Sequence, residues 1–273
     1  HDLILLHYPS RQSSTLGPLK YFFKNLAYRF ILHHAVKKAV QIITPSNFTK
    51  QDITKTLHMP EEKITVTHLA PTDLGIKYPV SSIKYGNENL LIKHHILKPY
   101  LLYVGVAYPH KNLEQLVKSW KKFEEKNKNF QLVLVGKKNY FYDRLINSEI
   151  FKNCQNIVFT DFVPDAELAM FYKNATAYVF PSLYEGFGLP PLEAMQYGVP
   201  TISTNSACLP EILGEAALYF DPLTEQDICS KISLILTDTN IRQKLINNMP
   251  YILSKYSQKN TAETTLSVYQ KMV

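Results

Sequence analysis

The sequence predicts an α/β protein with one complete parallel-sheet domain, preceded by the remaining half of another. Two observations carry this. From residue 100 onward, short apolar runs alternate with helical patterns of roughly 10–15 residues, the way buried parallel strands and their crossover helices read. Before residue 70 the same alternation gives only about three strands, too few for a doubly wound sheet of its own.

Residues 1–6 (HDLILL) read as a strand, 15–39 as a long helix and 41–44 as a strand; a helix capped by Ser46 comes next, then a strand at 64–68. The segment 20–38 is basic and amphipathic. Its aromatic face is expected to pack on its own sheet, and contact with anionic lipid is the lesser reading. Residues 70–99, with Pro71, Pro79, Gly86 and Pro99, read as a linker carrying a short helix. Strands are then expected at 100–105, 131–136, 156–160, 176–180, 200–204 and 217–220, each a short run such as YLLYVG or QLVLVG. Helices at 224–236, 239–254 and 258–271 close the chain.

The 273 residues, 45% of them hydrophobic and 19% charged, describe a globular chain with a real core. No apolar run reaches the roughly 18 residues that span a bilayer. Residue 1 is His and Asp2 follows, so the start reads neither as a signal peptide nor as a native N-terminus. Cys154, Cys208 and Cys229 have no metal or redox spacing, which suits reduced thiols in a cytoplasmic protein. The net charge of +7 points to an anionic partner, although most of the lysines read as solvated surface. Without a zinc finger, an aromatic-glycine RNA signature or an arginine stripe, nucleic acid is excluded as that partner.

The run Phe180-Pro-Ser-Leu-Tyr-Glu185-Gly-Phe-Gly-Leu-Pro-Pro-Leu-Glu193 is the most informative stretch. It joins a strand to a helix through a glycine-bearing turn, with a carboxylate on each side. Helix N-termini above a parallel sheet favour phosphate. Pro190 and Pro191 have no N–H, so the free groups belong to Gly186, Phe187, Gly188 and Leu189, then Leu192 and Glu193. Phosphate repels carboxylates, so Glu185 and Glu193 suit hydroxyls. A nucleotide-diphosphate sugar has phosphates in the middle and hydroxyls at both ends. Reading the pair as a glycosidase acid and nucleophile is weaker, because it flanks a phosphate-suited turn.

Lys111 follows the 100–105 strand at a helix start, where Asn112 is expected to cap and Gln115 to reach back. At the carboxyl edge of the sheet a lysine complements a diphosphate, although taken alone it reads sooner as a surface lysine in a turn. Lys137, after the next strand, is a second candidate, and the run 160–165 is expected to cap the helix at 165–173. No G-x-G-x-x-G, Walker motif or Asp-x-Asp pair is present, which argues against a dinucleotide cofactor or a metal-held nucleotide.

With these residues in place, the chain resembles the retaining glycosyltransferases of family 4, whose GT-B fold faces two Rossmann-like domains. Residues 176–222, with Glu185, Glu193, Asn205, Leu209-Pro-Glu211 and Asp221-Pro222, look like the family's donor-site block; Tyr103-Val-Gly105, Lys111-Asn112, Leu134-Val-Gly136 and Phe162-Val163 match in order. The resemblance implies the C-terminal part of an acceptor-side domain at 1–80, a linker at 81–99, a donor domain at 100–255 and a helix at 256–273 that packs back. It implies a hexosyltransferase, with mannose the favoured sugar, moving the sugar with retention to a saccharide or lipid-linked saccharide. No cofactor or metal is expected, and the place of work is cytoplasmic, at the inner membrane face. Carried over, Glu193 binds ribose, Glu185 the transferred sugar, and Lys111 the diphosphate. The N–H groups of Phe187, Gly188 and Leu189 meet the sugar and distal phosphate, Gly186 belongs to the same donor-binding turn, and Val163 meets the base. Gly105 and Lys137 complete the donor side, and His1 resembles a family histidine near the donor. Two arginines common in relatives are here Val106 and His110. On the order of a hundred residues are expected before His1, so the chain is expected to bind donor and transfer poorly. The rivals are an epimerase of the same fold and a non-catalytic nucleotide-sugar-binding or scaffold protein.

Overall fold

The computed structural model describes residues 1–9, 14, 16–72, 87–97 and 99–272. The first 72 residues supply two strands, β1 (Ile42–Thr44) and β2 (Ile64–Val66), paired in parallel with Ile42 opposite Ile64. Six further strands form one parallel sheet: β3 (Tyr100–Val104), β4 (Gln131–Val135), β5 (Ile157–Phe159), β6 (Ala177–Phe180), β7 (Thr201–Thr204) and β8 (Ala217–Phe220). Their order is β5-β4-β3-β6-β7-β8.

Period-two alternation puts the strand side chains into two separate cores. Tyr100 and Leu102 of β3 join Tyr178 and Phe180 of β6 on one face. Leu101 and Tyr103 join Ala177 and Val179 on the other. The second face is covered by the helix Leu113–Glu124, which buries Leu113, Leu116, Val117, Trp120 and Phe123 at helical spacing, beside the helix Glu225–Thr237. The first is covered by Asp165–Asn174, Leu189–Gln196 and Thr239–Ser254. Such continuous burial is what near-unbroken apolar strands require.

The chain runs outward from β3 through β4 to β5, returns to the other side of β3 at β6, and continues outward to β8. Strand order therefore reverses between β3 and β6. Connections leaving neighbouring strands in opposite directions open a crevice at the carboxyl edge, where ligands of such sheets bind. At that edge Gly136 lies flat against Gly105: a Cβ on Gly136 would stand 2.0 Å from the Gly105 carbonyl oxygen and 2.7 Å from the Tyr142 hydroxyl.

The two parts are tied by the helix Gln258–Gln270, whose Thr261 Oγ1 donates to the His68 carbonyl at 2.8 Å and whose Gln258 Nε2 donates to Ala70 at 3.3 Å. No helix among the described residues is long and apolar enough to cross a membrane.

The first 40 residues depart from the sequence expectation. Instead of a strand at 1–6, a short helix Ile4–His7 forms, started by Asp2 Oδ1 accepting from the Ile4 N–H at 2.9 Å. The long helix Pro18–Lys38 does not bury its aromatic face: Leu19, Phe22, Phe23, Leu26, Phe30 and Ile31 are exposed. Only Leu32 and Val36 reach the small cluster of Leu3, Ile53, Leu57, Met59 and Ile64. Two three-residue strands are roughly 10 Å long, and a 21-residue helix roughly 30 Å, so the sheet cannot cover it. In the predicted linker the helix Asn87–Lys93 is present, while Pro79 and Gly86 lie outside the described residues.

Gly136→Ala is expected to cost about 1–3 kcal/mol, because backbone and not a flexible side chain blocks the methyl. Gly17→Ala, at φ −60 with nothing within 4 Å, is the neutral comparison. Urea denaturation of both variants checks this, and equal midpoints would contradict it.

Candidate functional site

Both loops that leave the strand-order reversal carry a charge into it. After β3, the single turn Pro109–Lys111 presents Lys111; after β6, residues 181–188 present Glu185. Lys111 Nζ donates to Glu185 Oε1 at 2.6 Å, with the two side chains 17% and 11% exposed. The same ammonium stands 5.5 Å from the centroid of the Phe180 ring. The backbone repeats the link, since the Leu183 N–H donates to the His110 carbonyl at 2.7 Å.

The His110 side chain is buried. Burial first, and then neighbouring Lys111, push its pKa down to about 4 against the pull of Asp2, so the imidazole is neutral at physiological pH. Lys111 is thus the cation held between these loops. Asn112 does not cap the following helix as expected: its backbone is left-handed at φ 59, and Nδ2 instead donates to the Pro222 carbonyl at 2.9 Å. Tying the loop to the far side of the sheet takes the amide away from the helix end.

Both glycines of the turn are required, for different reasons. Gly188 caps the helix Leu189–Gln196 at φ 95, a left-handed conformation that side chains rarely adopt. A Cβ on Gly186 would meet the His1 carbonyl oxygen at 2.0 Å. That contact places His1 beside the turn through its backbone. Phe187 between them is buried, its ring 5.3 Å from that of Tyr256. Among the described residues, no acceptor meets the N–H groups of Phe187 or Gly188. Amides without a protein acceptor leave room for one from a ligand, and an anionic oxygen supplies it. Leu189 begins the helix.

Glu193, one turn into this helix, is half-buried and accepts from the Tyr172 hydroxyl at 3.1 Å. Burial raises its pKa, the Tyr172 bond pulls it back in part, and Asp165 adds to the rise. Val163 is buried in the core of the first face. Ahead of it Asp161, at φ 62, accepts from the N–H groups of Lys138 and Phe162. The helix expected at 165–173 is Asp165–Asn174, with Pro164 at its N-cap and no side-chain cap, so Asp165 contributes only charge in the first turn. Gly105 receives Tyr142, whose hydroxyl donates to its carbonyl at 2.8 Å. Lys137 is exposed, while Lys138 pairs with Asp143 at 3.4 Å.

Three groups at this site, Ser46, Asp52 and Glu211, had no role in the sequence reading beyond a cap or a motif position. Ser46 caps its helix as expected, but its hydroxyl also donates to the Gly186 carbonyl at 2.7 Å. Asp52 accepts from the Tyr184 hydroxyl and pairs with His7 at 2.8 Å. Glu211 accepts from the N–H groups of Asn47 and Phe48 at 2.8 and 2.9 Å, fulfilling from the other part of the chain the orphan amides of that helix. Burial pushes the Glu211 carboxyl up, but the neighbouring His68 imidazole, 3.7 Å away, and the bonds from Asn47 and Phe48 outweigh it and hold it below its ordinary value. Ser-x-x-Thr marks the cap locally; the cross-chain partners leave no local signature.

Comparison with known proteins gives these features a setting. The sequence model of the family described as "Glycosyl transferases group 1" matches residues 92–250. O-antigen chain mannosyltransferase B of Escherichia coli is 30% identical over 88% of this chain and 62% of its own length. O-antigen chain mannosyltransferase RfbU of Salmonella typhimurium is 29% identical over 86% of the chain and 59% of its own length. The chain thus spans about three fifths of these relatives. Sucrose-phosphate synthase from Thermosynechococcus elongatus superposes with a TM-score of 0.76 at 20% identity, over all of this chain and 66% of that one, sharing the GT-B fold.

Removing one partner of the Lys111–Glu185 pair leaves a buried charge alone, so Lys111→Ala is expected to cost about 3 kcal/mol. Adding Glu185→Gln should recover part of that in denaturant titrations; a purely additive loss in the double variant contradicts the pairing. Glu211, with its lowered pKa, contributes stability above the ordinary value of 4.5 that is lost as pH falls through the lowered one. Between about pH 6 and about pH 3 the parent should lose more stability than Glu211→Gln; parallel losses would refute the linkage.

Proposed function

The chain belongs to the group 1 glycosyl transferases, and on that premise we propose that it moves a hexose, mannose being favoured, from a nucleotide-diphosphate sugar to a saccharide or lipid-linked saccharide. One observation carries the reading: the buried Lys111–Glu185 pair sits at the strand-order reversal, next to amide groups that have no acceptor among the described residues. A carboxylate, an ammonium and open N–H groups at one crevice suit a ligand that joins hydroxyls to phosphate. Both O-antigen relatives are mannosyltransferases by name, which supports mannose.

In this reading Glu193 accepts from ribose hydroxyls, its raised pKa favouring a hydroxyl partner over an isolated charge. Glu185 accepts from hydroxyls of the transferred sugar. The N–H groups of Phe187, Gly188 and Leu189 face the sugar and the distal phosphate, and Val163 offers backbone to the base. Gly105 lets the phosphates come close to the strand end, Lys137 adds charge at the rim, and His1 lines the sugar side. Lys111 stabilises the departing diphosphate, which carries the developing negative charge. Phosphate draws Lys111 away from Glu185, freeing the carboxylate for the sugar as the leaving group gains its counter-charge. Configuration is retained, the acceptor attacking on the face the diphosphate leaves while phosphate takes the acceptor's proton. No metal is used. The reaction takes place in the cytoplasm, at the membrane face when the acceptor is lipid-linked.

Calorimetry with a panel of nucleotide-diphosphate sugars tests the donor site. Glu193→Ala and Lys111→Gln should each weaken binding at least tenfold, a loss of about 1.4 kcal/mol. Unchanged binding in both defeats the reading. Incubation with donor alone should give little free sugar; rapid release of sugar and nucleotide without acceptor would point to an epimerase of the same fold.

A further inference from the structure

The glycine turn is held from the other part of the chain. The Gly186 carbonyl accepts from Ser46 Oγ at 2.7 Å and from Thr49 Oγ1 at 3.4 Å, and both hydroxyl residues are fully buried. Ser46 Oγ at the same time accepts from the Thr49 N–H at 3.1 Å as the cap of the helix Asn47–Leu57. A single hydroxyl therefore ends one helix and fixes a carbonyl 140 residues away. On its Cα side Gly186 is closed off by the His1 carbonyl oxygen. The helix bearing Ser46 is itself fixed, by Glu211 on its first amides and by Tyr184 on Asp52.

In a trans peptide the C=O and the following N–H point in opposite directions. A carbonyl drawn to Ser46 therefore turns the Phe187 N–H away from Ser46, and among the described residues no acceptor meets it there. We propose that Ser46, assisted by Thr49, is a positioning residue that holds the Gly186–Phe187 peptide so that its N–H meets the distal phosphate or the transferred sugar of the bound donor. This rests on the donor-site reading above. Ser46 touches no substrate; it acts through the peptide it holds. The N-terminal part thus takes part in donor binding, beyond providing an acceptor side. Binding geometry depends on contact between the two parts, because the anchoring hydroxyl and the anchored carbonyl belong to different ones.

The test compares probes that differ in reaching this N–H. GDP-mannose and UDP-glucose carry the distal phosphate and sugar; GMP and UMP lack both. With the full chain, Ser46→Ala is expected to weaken the better of the two nucleotide sugars by roughly tenfold while the matching monophosphate binds as before. Ser46→Thr, which keeps the hydroxyl, should restore the parent ratio. Ser46→Cys, nearly isosteric but a weak donor, should weaken the nucleotide sugar several-fold in a chain that stays folded. Equal weakening of both probes, an unchanged ratio in Ser46→Ala and Ser46→Cys, or no rescue by threonine would overturn the inference while leaving the donor site standing. Failure of every nucleotide to bind the parent would remove both.

Discussion

The reversal of strand order between β3 and β6 is the constraint on which the site depends. Connections leave these adjacent strands toward opposite edges, so no crossover covers the gap between their carboxyl ends. Lys111 stands on one rim and Glu185 on the other, and their 2.6 Å pair bridges the gap. Burial makes the pair consequential. At the surface it would contribute little, but with both side chains mostly covered each charge relies on the other. Anything that drew Lys111 away would leave Glu185 as an unpaired buried charge.

Glycine sets how closely anything approaches that gap. Gly136 presses on Gly105 at the ends of β3 and β4, Gly186 on His1, and Gly188 turns the chain into the helix with a positive φ. Each position gives up a side chain so that backbone amides or strand ends lie at the surface of the crevice. His110 belongs to the same economy of charge: buried and neutral, it gives its carbonyl to Leu183 and leaves the cationic role to Lys111.

The two parts of the chain meet through helix ends. Glu211 satisfies the first amides of the helix Asn47–Leu57, Ser46 reaches the turn, and the helix Gln258–Gln270 returns to His68 and Ala70. Polar termini carry directional bonds, which fix orientation, and the rings of Phe48 and His68 pack beside them on Tyr184 and Phe187. The long helix Pro18–Lys38 shows the contrast. Its apolar residues lie on most sides of the helix, and a two-stranded sheet is too small to cover them.

Strand runs, helix lengths and the glutamate pair were legible in the sequence because they follow from local periodicity and turn chemistry, which act over a few residues. The strands from residue 100 onward fall where their apolar runs predicted, within a residue or two. The segment 1–6 misled because an apolar run of that length suits either a strand or a buried helix turn, and Asp2 decided for the helix. Asn112 misled because a cap competes with any carbonyl that folding brings near, here that of Pro222. By itself the sequence determined the alternating α/β architecture and the glycine-bearing turn with a carboxylate on each side. Only the tertiary structure decided that Lys111 faces Glu185, that His110 is neutral, and that Ser46 and Glu211 join the two parts. Those relations arise between residues tens to more than a hundred positions apart, and their energies exist only once burial removes water from between them.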